Sequence, residues 1–275
     1  RPRFAAADTA LTQTEIDHDD PFLPLVPDEP LPEQSRGNNL GRYGIGNWGK
    51  AFNARQLLAL STFIRAIQDV YNAIQAQGGE KSEAQAVALY LSLAHSRMSP
   101  RLSEVTRWNN RGDKVESATG GHKIPMLWDY AEVSPLSGGS GSWENTSDWA
   151  LDSIRRLSTH AATPVTVQWG DATKLPFEDN NFDAVLTDPP YYDSVSYSDL
   201  SDMQYVWLHR ALGDILPEYF PGPLTPKKAE IVQENSRHKS GAAARAFFEE
   251  RRGQALAEIH RLLRPGCIAM IRYAH

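Results

Sequence analysis

Two successive prolines, Pro189 and Pro190, follow the run Asp183-Ala184-Val185-Leu186-Thr187-Asp188. A proline fixes its own φ and has no N–H, and it pushes the residue before it towards extended geometry. An apolar strand must therefore end at Asp188, and the chain beyond it can continue neither that ladder nor a helix. Asp188-Pro189-Pro190-Tyr191 is stiff, and its carbonyls can point outward with no internal donor claiming them. Around this stop, short apolar runs alternate with helical periods. Residues 165–169 predict a strand closed by Gly170-Asp171, 183–187 a second strand, and 267–273 a third after Arg264-Pro265-Gly266. Helices are expected over 198–212 and 243–263, the latter turning Ala246, Phe247, Leu256, Ile259 and Leu263 inward. This alternation predicts the α/β class, with a parallel sheet covered on both faces. Ligands of such sheets sit beyond the carboxyl ends of the strands. Asp171 and Asp188 fall at two such ends, so their side chains are expected to line one crevice.

The first part of the chain reads differently. Residues 1–40 are rich in Pro and acid and predict an extended connector. Gly37, Gly41, Gly44, Gly46 and Gly49 fit neither a dinucleotide nor a Walker phosphate loop, which leaves an ordered loop with Tyr43 and Trp48. Asn53 can cap a helix from Ala54 that ends at Gly78-Gly79. A second helix is predicted from Ser82 to Met98, with Ala86, Leu89, Tyr90, Leu93 and Ala94 inward and Pro100 as its stop. Residues 99–145 show no clear period, and that length suggests a functional or partner-covered loop. A third helix from Trp143 should turn Trp149, Ile154 and Leu157 inward. The expected organisation is thus a connector over 1–40, a helical insertion over 41–160 and a sheet domain over 161–275.

The 275 residues carry a net charge of −6 and a single cysteine, Cys267. A disulfide framework within the chain and a Cys-rich zinc site are excluded, and cytoplasmic residence is the default expectation. Binding to nucleic acid would need a local basic surface. Lys227, Lys228, Arg237, His238 and Lys239 form the most basic cluster, expected as a solvated loop or a phosphate contact. His122, His160 and His209 lack metal-ligand spacing, so no metal is assigned. Asp199 and Asp202 read as a helix start on the surface. No apolar run is long enough to span a bilayer, so no membrane partner is expected. The chain opens on Arg1-Pro2-Arg3-Phe4 without Met and stops within a predicted strand, so it is expected to be a fragment of a longer protein.

The stiff tetrapeptide suits one kind of chemistry. An exocyclic aromatic amine is a poor nucleophile, because its lone pair is delocalised into the ring. Asp188 and the Pro189 carbonyl can each accept one N–H, which holds the nitrogen nearer to tetrahedral geometry. Positioning of this kind is worth on the order of several kcal/mol. Asp188 also opposes the positive charge that develops on nitrogen. The Tyr191 ring offers a stacking face worth roughly 1–3 kcal/mol, and a base within a duplex must be flipped out to reach it.

Asp188-Pro189-Pro190-Tyr191 resembles the motif of amino-methyltransferases that use S-adenosylmethionine. The longer run from Asp188 to Leu208, together with Leu224-Thr225-Pro226-Lys227-Lys228, Arg237-His238 and Met126-Leu127-Trp128-Asp129-Tyr130, is similar to a group of large bacterial and archaeal predicted adenine-specific DNA methylases, the DUF1156 group. The similarity covers roughly residues 40–275. It implies a partial class I methyltransferase (Rossmann-like) sheet with a helical insertion. It also implies methyl transfer from S-adenosylmethionine to N6 of a flipped adenine in DNA, with restriction or defence-system subunits as partners. Asp188, Pro189, Pro190 and Tyr191 would be the catalytic residues. Asp171 and Ala172, in the segment 167–177, would hold the cofactor adenine. The Gly-rich cofactor loop of the group is not in this sequence and is expected upstream of Arg1, so the enzyme is expected to be incomplete here. The alternatives are an RNA base amino-methyltransferase, or a non-catalytic nucleic-acid-binding module of a defence complex.

Overall fold

The computed structural model describes residues 25–159, 165–192 and 195–272. The first 24 residues of the expected connector, His160 and the end of the last predicted strand lie outside the described residues. The rest form two units. One comprises 25–159 with 199–225, and the other 165–192 and 195–198 with 226–272.

In the first unit, α1 (Ala54–Ala76) begins where a capping box forms. The Asn53 side chain accepts from the Gln56 N–H, and the Gln56 side chain accepts from the Asn53 N–H, satisfying two orphan donors of the first turn. Helix α2 (Lys81–Met98) packs on α1 and on α3 (Trp143–Ser158). Pro100 is accommodated in a 3-10 turn, Ser99–Arg101, that follows α2 directly. The helix faces differ from expectation. Helix α2 buries Ala84, Ala88, Ser92, Ala94, His95 and Met98, while Leu89, Tyr90 and Leu93 stay exposed. Helix α3 buries Thr146 and Ala150 and leaves Trp149 and Leu157 exposed. Small residues let helix axes approach closely, so the contact stripe follows alanine and serine rather than the largest apolar side chains. Trp149 is covered by a cation instead, with the Arg97 guanidinium 4.4 Å from its ring centre.

Helix α4 (Tyr197–Leu212) completes this core. From Asp199 onward it contributes Met203, Val206 and Trp207, all fully buried. Trp207 meets Phe52 edge-on at 5.4 Å and His95 at 5.9 Å. Asp199 and Asp202 are buried, not on the surface as the sequence suggested. Asp199 accepts from the Ser35 hydroxyl at 2.7 Å, and Asp202 from the Thr225 N–H at 3.0 Å. Residues 25–36 contain no helix or strand, yet they are built into this unit. Arg210 donates to Glu29 at 2.7 Å, and both side chains are nearly inaccessible, 2% and 5% exposed. The Gly-rich loop serves the same packing. A Cβ at Gly49 would overlap the Pro27 carbonyl oxygen, and one at Gly41 that of Pro32. Within 99–145, a short antiparallel hairpin appears, β1 (Arg107–Asn109) with β2 (Lys114–Glu116).

In the second unit, β3 (Phe182–Thr187) pairs in parallel with β4 (Leu263–Ile271), which follows α5 (Gly241–Leu262) without a loop. The register aligns Thr187 with Ile271, and an irregularity lies between Phe182 and Ala184. Helix α5 buries Ala244, Phe248, Glu258 and Leu262, positions one or two residues from the predicted stripe and so on a rotated face; Leu256 is exposed. The predicted strand at 165–169 is not formed. Val165, Val167 and Trp169 are exposed and belong to no ladder. Strand propensity is realised only against a paired neighbour, and β3 takes β4 alone among the described residues. The expected two-sided cover is also missing from this pair, because Leu186, Ile268 and Met270 are more than half exposed. The chain is thus mixed α/β, with a two-stranded parallel sheet in this unit. No helix among the described residues is long and apolar enough to cross a membrane.

Candidate functional site

Asp188 stands at the carboxyl end of β3, where the two prolines stop the strand. Its neighbour across the parallel pair is Arg272, whose N–H donates to the Thr187 carbonyl at 2.9 Å and extends the ladder by one residue. The Arg272 guanidinium lies 3.8 Å from Asp188 Oδ2, and both side chains are more than half exposed. The Tyr191 hydroxyl turns back and donates to Asp188 Oδ1 at 3.0 Å. That hydrogen bond, with the carboxylate charge beside it, raises the phenol above its ordinary pKa, so Tyr191 is a protonated donor at neutral pH. The carboxylate thus keeps a side open to water, while one oxygen is oriented by a phenol and the other lies near a cation.

Tyr192 belongs to a neighbouring cluster. Its ring meets Phe248 edge-on at 4.9 Å, its hydroxyl donates to Glu249 at 3.2 Å, and Arg245 lies over its face. Farther along, the buried segment after the motif is tied to the loop before α5. Ser196 donates to Glu234 at 2.7 Å, and Arg237 reaches both Glu230, at 2.6 Å, and the Ser198 hydroxyl, at 3.0 Å. Arg237 is therefore engaged by a carboxylate within the protein, and His238 packs on Phe247 at 4.8 Å. Of the predicted basic cluster, Lys228 and Lys239 stay exposed to solvent.

Asp171 is held by other partners. Its Oδ1 accepts from the Thr173 N–H at 2.9 Å and from the Thr173 hydroxyl at 2.7 Å, and its Oδ2 accepts from Arg251 at 2.8 Å. These bonds, those of Thr173 first, hold the carboxyl below the usual aspartate range. Ala172 is exposed beside it. A clamp from α5 fixes the chain that follows. Glu258 accepts from the Leu175 N–H at 2.7 Å and from Arg261 at 2.6 Å, while Arg261 also reaches the Phe177 carbonyl and Asp179. Arg261 pulls the Glu258 carboxyl down to about 2.

The four motif residues thus stand together with Arg272, and Asp171 and Asp188 share no partner among the described contacts. The sequence reading missed Arg272, Arg251, Glu258 and Arg261. Arg272 carried a signal, since pairing the last apolar residues of the two strands puts 272 beside 188. The other three lie on one stripe of α5 at positions where charge reads as solvated surface. Among the described residues, no group of three His, Cys, Asp or Glu side chains could hold a metal ion. Compared with models of known families, with curated proteins and with solved structures, the chain matches none.

Proposed function

We propose that this chain carries the target-base half of the active site of an S-adenosylmethionine-dependent methyltransferase acting on N6 of adenine in DNA. The observation that carries the reading is the half-exposed carboxylate of Asp188 at the carboxyl end of a parallel strand, followed by Pro189 and Pro190. Asp188 accepts one N–H of the amine and the Pro189 carbonyl accepts the other, which directs the nitrogen lone pair out of the ring plane. Tyr191 and Arg272 orient the carboxylate, and Asp188 opposes the charge that grows on nitrogen. No strong base is needed beforehand, because the proton leaves for solvent after transfer. The reading also entails a Rossmann-like sheet of the class I type, larger than the β3–β4 pair. The exposed Leu186, Ile268 and Met270 are the residues that further strands and helices would cover.

Bound S-adenosylmethionine would supply an electrophilic methyl group on a sulfonium centre. Asp171 fits the adenine part of that molecule, because Oδ2 retains one lone pair after Arg251 has taken the other. A carboxyl held below its usual range stays ionised and accepts an amino N–H. The test is transfer of labelled methyl from S-adenosylmethionine to DNA and to RNA by the full-length protein, with nucleoside mass spectrometry of the product. N6-methyladenine in DNA is expected; label confined to RNA would move the activity to RNA, and label in neither would overturn the proposal.

One observation favours a second reading, a nucleic-acid-binding module without catalysis. Arg251 already occupies Asp171. Calorimetry with S-adenosylmethionine separates the two: tight binding that is lost in Asp171→Ala supports the enzyme, and no binding supports the module.

A further inference from the structure

The first unit carries a surface that the transfer chemistry does not use. Trp128 is 83% exposed, an unusual position for the largest apolar side chain, and Tyr43, 54% exposed, meets it edge-on at 5.8 Å. Backbone hydrogen bonds tie the segments that carry the pair. Ile124 and the chain at 37–39 exchange backbone hydrogen bonds at 2.8 and 3.0 Å, which joins the segments that lead into the 3-10 turn carrying Tyr43 and the bend carrying Trp128. The Ala131 N–H and carbonyl both bond to Thr106, which sets the start of the β1–β2 hairpin beside the Trp128 segment. Trp108, half exposed, stands on that hairpin. Its tip is shaped by Asn109, whose side chain accepts from the N–H groups of Arg111 and Gly112, and by Asp113 in the left-handed region.

The charge around these rings runs against that of the whole chain. Residues 36–50 and 107–131 hold seven Lys and Arg against three acids, in a protein of net charge −6. Arg42, Arg111, Lys114 and Lys123 are exposed. Of the acids, Glu116 is already paired with Arg107 across the hairpin. Flat, exposed aromatic faces set among cations are what an unpaired polynucleotide recognises: bases stack on the rings while phosphates meet the cations. A proline-rich peptide would use the rings but has no use for the positive charge.

We infer that the surface formed by Tyr43, Trp128 and Trp108 with Arg42, Arg111 and Lys123 binds single-stranded nucleic acid, by stacking and phosphate contact without reading sequence. The inference does not rest on methyl transfer at Asp188, because a protein that transfers no methyl can still bind here. It is tested by fluorescence anisotropy with labelled 20-nucleotide DNA and RNA single strands and the corresponding duplex, with no cofactor present. The single strands should bind more tightly than the duplex. Trp128→Ala should weaken them by about tenfold, in keeping with roughly 1–3 kcal/mol per stacked base, and Trp128→Phe should keep most of the affinity. Arg111→Ala should reduce the slope of log affinity against log salt by about one. The DNA and RNA arms show which polymer is preferred. Circular dichroism verifies that each variant is folded. No binding by the wild-type protein, or equal binding by wild type and Trp128→Ala, overturns the inference.

Discussion

Asp188 and Asp171 show how differently two carboxylates at the ends of predicted strands can be held. Asp188 meets a phenol at 3.0 Å and a guanidinium at 3.8 Å and keeps its remaining capacity open. Asp171 accepts three hydrogen bonds, one of them from Arg251, which leaves one lone pair of Oδ2. If Arg251 competes with the cofactor amino group, Arg251→Ala should tighten S-adenosylmethionine binding a few-fold in calorimetry. Unchanged affinity would mean that Arg251 shares the carboxylate rather than blocking it. Tyr191→Phe removes the hydroxyl that orients Asp188 while keeping the ring. It should lower the methylation rate by about tenfold with little change in DNA affinity, a split readable from kcat and KM. The place of Asp188 at a strand end was legible in the sequence, because the two prolines mark the end of β3, whereas the strand expected before Asp171 is not formed. The Arg251 partner of Asp171 was not, since an arginine on a helix 80 residues away leaves no local signature.

At the scale of elements, the clearest local code is also the best realised: Asn53 predicts a helix cap, α1 starts at Ala54, and the structure adds Gln56 to make the cap a box. Helix extents follow from periodicity, but helix faces do not, because alanine and serine stripes on α2 and α3 govern the approach of neighbours. The predicted strand at 165–169 failed for a related reason, since pairing is a property of two segments and not of one. The Glu258–Arg261 clamp organises the chain over 175–179 in place of a ladder. Glu258→Gln should speed amide hydrogen exchange at Leu175, whose N–H it accepts at 2.7 Å. The carboxyl is depressed from 4.5 to about 2. Its contribution is therefore present above pH 4.5 and fades as pH falls towards 2, so Leu175 protection should fall over the same window.

Over the whole molecule, a buried ion pair and a buried neutral histidine bear on the stability of the first unit. Arg210 and Glu29 pair at 2.7 Å out of solvent, so Arg210→Met alone should destabilise that unit by about 3–5 kcal/mol in denaturant unfolding. Adding Glu29→Leu should recover much of the loss, because the stranded carboxylate is then gone. His95 is fully buried, donates from Nε2 to the Leu60 carbonyl, and is pushed by desolvation to about 4. The unfolded chain takes up a proton near pH 6.5 and the folded one only near 4. Stability should therefore decline as pH falls from about 6.5 to about 4, by up to about 3 kcal/mol, and thermal melts of His95→Gln should be flatter across that range. Neither device was visible in the sequence, where Glu29 sits in an acidic, Pro-rich stretch and His95 in an amphipathic helix. The central claim, that Asp188 clamps a base amine for methylation, is tested most directly by single-turnover transfer of labelled methyl from S-adenosylmethionine to DNA by the full-length protein and its Asp188→Ala variant. The account predicts that the variant binds DNA like the wild type and transfers methyl at least about 100-fold more slowly; equal transfer rates would contradict it.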